Sequence, residues 1–166
     1  MSTVREIYLD NAATTRPDPA VVAAMTAALT EGYGNPSSIH GKGVEAERRV
    51  AEARAQVAAL LGVPPSAVLF TSGGTEANNL AIKGAARAHN NRGRHLIGTA
   101  VEHSSVLEVL RSLEAEGFTL TILPVDGAAR VDPDELRRAL RPDTLIVSVM
   151  AVNNEVGTVE PVAEIA

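Results

Sequence analysis

Val68-Leu69-Phe70-Thr71-Ser72-Gly73-Gly74-Thr75-Glu76 passes from an apolar, β-type run through a glycine turn into a helical pattern. Such a junction belongs to parallel α/β sheets, in which strand ends deliver loops to a common rim where ligands bind. The alternation continues outward from it. The spacing predicts a strand over Val68–Phe70, a helix from Glu76 to about His89 and a strand over His95–Ala100. A helix over Ser104–Glu116, closed by Gly117, and a strand over Phe118–Val125 follow. Asp132-Pro133-Asp134-Glu135 starts another helix, with proline at its first position and an acidic residue close to the capping-box place. Leu145–Val152 is nearly all apolar, as in a strand covered on both faces. The βαβαβαβ order implies an α/β fold of three layers, a mostly parallel sheet with flanking helices and right-handed crossovers.

Upstream, Ile7-Tyr8-Leu9 is a short extended run that stops at Asp10-Asn11. Asp18 caps a helix whose first position is Pro19 and which runs to about Glu31, before Gly32. Gly34-Asn35-Pro36-Ser37-Ser38 reads as an irregular loop, and Val44–Leu61 repeats its apolar residues at helical spacing up to Gly62. Pro161–Ala166 reads as the first turns of a helix with nothing to finish it, so the sequence looks cut.

Composition narrows the classes. At 166 residues the chain is at most one domain, and with 2% aromatics its core must rest on Val, Leu, Ile and Ala. A net charge of −5, with no basic cluster, argues against nucleic acid as a partner. The absence of cysteine excludes disulfides and thiol chemistry from the chain itself. Met1–Glu6 lacks the apolar run of a signal peptide, and no apolar stretch is long enough to span a membrane. A soluble, cytoplasmic protein is the expectation.

Polar segments follow apolar runs at Thr71–Glu76, Glu102-His103-Ser104-Ser105 and Asn153-Asn154-Glu155-Val156-Gly157. Gly73 and Gly74 let the backbone approach an anion, with the hydroxyls of Ser72 and Thr75 as added donors. An ordinary strand-to-helix turn uses the same residues. His103 can stack on a flat ligand or move protons, or simply face solvent beside a helix start. Asn153 and Asn154 can orient a ligand oxygen or form a turn pair. Glu102 reads as a solvated, helix-start charge, and His40, His89 and His95 show no metal-ligand spacing and read as structural or exposed. No metal site is expected. A cradle, a ring and an amide pair together suit a phosphorylated aromatic cofactor.

Tyr8–Thr15, Gly34–Ser38, Phe70–Asn79, Glu102-His103 and Val152–Gly157 closely resemble, in order, the NifS/IscS-type cysteine desulfurases. These are class V, fold-type I enzymes that use pyridoxal 5′-phosphate. The resemblance covers essentially the whole chain. It implies that Gly74 and Thr75 hold the cofactor phosphate, that His103 stacks over the ring and shuttles protons, and that Asn154 hydrogen-bonds the cofactor or substrate. The loop Asn35–His40 would lie near the active-site entrance. It also implies L-cysteine as substrate, a homodimer at full length, and a sulfur-acceptor or scaffold protein as partner. Residues 1–166 would then be one incomplete domain, with 1–15 an N-terminal segment and 16–166 the first part of the cofactor-binding large domain. The family's Schiff-base lysine, pyridinium-pairing aspartate, substrate arginine and acceptor cysteine have no counterpart here. The chain's lysines, Lys42 and Lys83, fall in a glycine-flanked loop and a predicted helix. The chain alone is therefore expected to be inactive, with the Val68 strand deprived of its partner and the Leu145 strand open at one edge. Alternatives are another class V enzyme such as a selenocysteine lyase, a non-catalytic truncated remnant, or a phosphate-ligand binding module.

Overall fold

The computed structural model describes residues 6–166, which divide after Phe70 into two units. Met1–Arg5, part of the stretch read as lacking a signal sequence, lies outside the described residues.

The first unit carries α1 (Pro19–Thr30) and α2 (Gly41–Leu61). Asp18 caps α1 by accepting from the Ala20 N–H, with Pro19 at the first helical position as the sequence requires. The helix α2 starts before the expected Val44 because His40 caps it, its Nδ1 accepting from the Gly43 N–H. At the other end Gly62 takes φ +66°, the left-handed conformation that closes helices at least cost in glycine. The loop before α2 lies hard against its first turn. A Cβ on Gly43 would sit 2.1 Å from the Ser38 carbonyl oxygen, and one on Gly34 2.1 Å from that of Lys42. Lys42 lies in this first turn, not in a loop, and donates from Nζ to the Glu31 carbonyl at 3.0 Å.

Val68–Phe70 corrects one expectation: the segment forms no strand. It is instead held by Arg54, which donates to the Val68 carbonyl and lies 4.9 Å from the Phe70 ring centroid. A β-type sequence supplies an extended backbone, but a strand needs a hydrogen-bonded neighbour. Leu29, Leu60, Leu69 and Phe70 remain exposed in this unit.

The second unit is the α/β body: α3 (Gly74–Ala88), β1 (His95–Thr99), α4 (Ser104–Ala115), β2 (Thr119–Leu123), α5 (Pro133–Ala139), β3 (Thr144–Val147) and α6 (Val162–Ile165). The strands are parallel in the order β2-β1-β3. Successive residues of β1 point to opposite faces. Leu96 packs with Val106, Leu110 and Leu113 of α4 and Ile82 and Ala86 of α3. Ile97 packs with Leu123, Val131 and Leu136, and Ile165 of α6 covers that side. The sheet is thus clothed on both faces, giving the three layers expected.

The last strand is shorter than expected. Beyond Val147, Ser148 continues the ladder by donating to Ile97 O at 2.9 Å, and no strand among the described residues pairs with the outer side of β3. His95 is fully buried at the start of the central strand. Its Nδ1 meets Thr144 Oγ1 and its Nε2 meets Thr121 Oγ1, each at 2.8 Å, so one imidazole ties β1 to both neighbours. His89 caps the C-terminus of α3. No described helix is long and apolar enough to cross a membrane.

Candidate active site

The start of α3 is built to leave backbone donors open. Gly73, with φ 163°, precedes the helix in extended geometry and no side chain caps it. The Ser72 N–H is taken by the Glu76 carboxylate at 2.6 Å, and this bond holds the Glu76 carboxyl below the usual carboxylate range. No described residue accepts from the N–H groups of Gly73, Gly74 or Thr75. A Cβ placed on Gly73 or Gly74 would meet nothing within 4 Å, so the turn is open to solvent on that side. The helix dipole adds positive potential there. This donor set fits a phosphate group.

The start of α4 lies alongside. Thr75, Asn79 and Lys83 of α3 share with Ser104, Ser105 and Glu108 of α4 the lining of a cavity of about 340 Å³. Asn78 Nδ2 donates to Ser105 Oγ at 2.8 Å, joining the two helices. His103 caps α4, its Nδ1 accepting from the Ser105 N–H at 3.1 Å and lying 2.8 Å from Ser105 Oγ. The ring itself is exposed.

Glu102 overturns its sequence reading. It is buried, not solvated. Its Oε1 accepts from Thr99 Oγ1 at 3.0 Å and from the Met150 N–H at 2.8 Å, and Ser148 Oγ approaches Oε2 at 3.5 Å. One carboxylate thus fastens the turn before α4 to the chain leaving β3. An acidic side chain directly after an apolar strand was the available signal, but burial depends on what packs above it.

The asparagine pair divides its work. Asn153 is buried, donates to Val101 O at 3.2 Å, and accepts from the N–H groups of Glu155 and Val156. It shapes the turn and hooks it onto the β1–α4 connection. Asn154 is exposed, with Nδ2 donating to Glu155 Oε1 at 2.9 Å. The second unit therefore links α3, the His103 turn and the Asn154 turn by hydrogen bonds. Of the connecting residues, Asn78 and Ser105 carry no distinguishing sequence pattern, Glu102 reads from sequence as a solvated charge, and Asn153 reads as either a ligand-orienting amide or a turn residue. The Asn35–His40 loop belongs to the first unit, Lys83 projects from α3, and no cluster of metal-ligating side chains occurs among the described residues.

Residues 7–166 match the sequence pattern of the family described as Aminotransferase class-V. The cysteine desulfurase IscS of Dictyoglomus turgidum is 50% identical over 162 residues, covering 98% of this chain and 41% of that protein. A solved NifS-like protein superposes with a TM-score of 0.91 at 43% identity, over 97% of this chain and 44% of that one. SspA in complex with cysteine gives 0.86 at 36% identity, over 95% and 46%. The chain thus spans less than half the length of each of these relatives. Its glycine turn, histidine cap and asparagine turn stand on the same three-layered frame, and the chain belongs to the class-V aminotransferase family.

Proposed function

We propose that this chain forms the phosphate-holding and ring-covering part of a pyridoxal 5′-phosphate-dependent cysteine desulfurase. The reaction takes sulfur from L-cysteine, leaves L-alanine and carries the sulfur as a persulfide on a cysteine that this chain does not contain. The observation that carries the reading is the uncapped start of α3, with the turn at Gly73 and Gly74 open to solvent. When bound, the cofactor supplies an electron sink. The protein's own groups then bind and aim. The N–H groups of Gly74 and Thr75, with the Thr75 and Ser72 hydroxyls, hold the phosphate. His103 covers the ring and holds or accepts a proton, and Asn154 orients an oxygen of cofactor or substrate.

The similarity to IscS and NifS-like proteins supports the reading, as does a relative solved with cysteine. The reading extends to a cytoplasmic homodimer that passes sulfur to an acceptor or scaffold protein for iron–sulfur cluster or thiolation pathways. Lys42 and Lys83, the chain's only lysines, lie in α2 and α3 and supply no anchor for the cofactor aldehyde in this reading. Titration of the ¹⁵N-labelled chain with pyridoxal 5′-phosphate is expected to shift the amides of Gly73–Glu76 and the His103 ring, without sulfide release from L-cysteine. Shifts confined to other residues would refute the cradle, and robust sulfide release would refute the assignment of the missing groups.

A further inference from the structure

We infer that Ser105, held by Asn78, is a positioning residue that fixes His103 in a single tautomer, with the ring proton on Nε2. The starting point is the backbone. An amide N–H can only donate, so the Ser105 N–H at 3.1 Å from His103 Nδ1 requires that nitrogen to carry a lone pair. Ser105 Oγ, 2.8 Å from the same nitrogen, must then donate its proton as well. With its proton committed, Oγ presents lone pairs elsewhere, and Asn78 Nδ2 donates into one at 2.8 Å. The order of donation runs from Asn78 to Ser105 to His103. Ser105 is buried, which shields the middle link from competing water.

The other ring nitrogen is consequently the one that carries the proton. No described residue bonds Nε2, and the ring is exposed, so that N–H is available to a ligand. A side chain that both stacks and handles a proton benefits from having this choice made beforehand. The functional weight of the relay rests on the cofactor reading above; its existence does not.

Long-range ¹⁵N–¹H correlation spectra of the histidine rings test this, with the His103 ring identified by its loss in His103→Gln. The expected spectrum has Nδ1 bare and Nε2 protonated. Ser105→Ala removes one of two donors to Nδ1, so the proportion of the Nδ1–H tautomer is expected to rise about fivefold, and Ser105→Thr to restore it. Asn78→Asp keeps a similar shape but turns a donor into an acceptor. Its carboxylate should draw the Ser105 proton away and shift the ratio as Ser105→Ala does, which mere loss of packing would not. Asn78→Asp also provides the reading should Ser105→Ala unfold. A wild-type ring protonated on Nδ1, or a ratio unmoved by either variant, overturns the inference. A ring in the Nε2–H form that ignores added pyridoxal 5′-phosphate supports the relay and sinks the cofactor reading instead.

Discussion

Replacing Glu102 separates an acceptor hub from a passive buried charge. In Glu102→Ala, the buried Thr99 hydroxyl loses its acceptor at 3.0 Å and the half-buried Met150 N–H loses its acceptor at 2.8 Å. A buried polar group left unpaired costs about 1–3 kcal/mol, and Met150 lies toward the low end because water reaches it in part. The sum is about 2–4 kcal/mol. Glu102→Gln keeps an oxygen at the Oε1 position for both donors and places an amide near Ser148 Oγ, which can accept. The loss there is only the charge assistance, about 1 kcal/mol or less. Urea denaturation followed by far-UV circular dichroism measures both, and for a chain of this size the alanine variant should melt roughly 5–15 °C lower. If glutamine proves as damaging as alanine, or alanine costs under about 0.5 kcal/mol, the carboxylate is not the acceptor that holds the two turns together.

His95 makes stability depend on pH. Burial, and then the nearby charge of Arg141, hold its pKa below the ordinary histidine value of 6.5, with Asp143 opposing. The unfolded chain therefore binds the proton first, and stability falls as pH drops through that value, levelling off below the folded pKa. The urea midpoint should be lower at about pH 5.5 than at about pH 7.5, and His95→Gln should flatten that slope; a midpoint rising on acidification would contradict the assignment. Two glycines should respond unequally to alanine. A Cβ on Gly98 meets the ends of two side chains, Leu110 at 2.6 Å and Ile122 at 3.7 Å, whereas one on Gly93 meets the Asp143 carbonyl oxygen at 2.3 Å. Gly98→Ala should cost about 1–3 kcal/mol and Gly93→Ala more, since a rotamer can move and a carbonyl bonded to the His95 N–H cannot. The reverse order in thermal melts would show that the Gly93 crossing is not tight.

Much of the second unit was legible because its signals are local. The proline after Asp132 and the glycine at 117 act on their own neighbours, and the apolar spacing of Val106, Val109, Leu110 and Leu113 marks one face of α4. Val68–Phe70 and Val149–Val152 depart from the strands expected of them for a shared reason. Their residues favour extended backbone, and no periodicity reveals whether another strand stands beside it.

For the candidate site the same division holds. Residue types and turn chemistry alone determined that Gly73 and Gly74 open a helix, that His103 precedes one and that Asn153-Asn154 end an apolar run, because each depends on the conformational limits of a few bonded residues. Tertiary structure alone decided that Glu102 is buried beneath Met150, that Asn153 reaches Val101, and that Asn78 meets Ser105 across two helices. Those contacts span separations of 27 to 52 residues, where only packing of the assembled sheet and helices brings donors and acceptors into range.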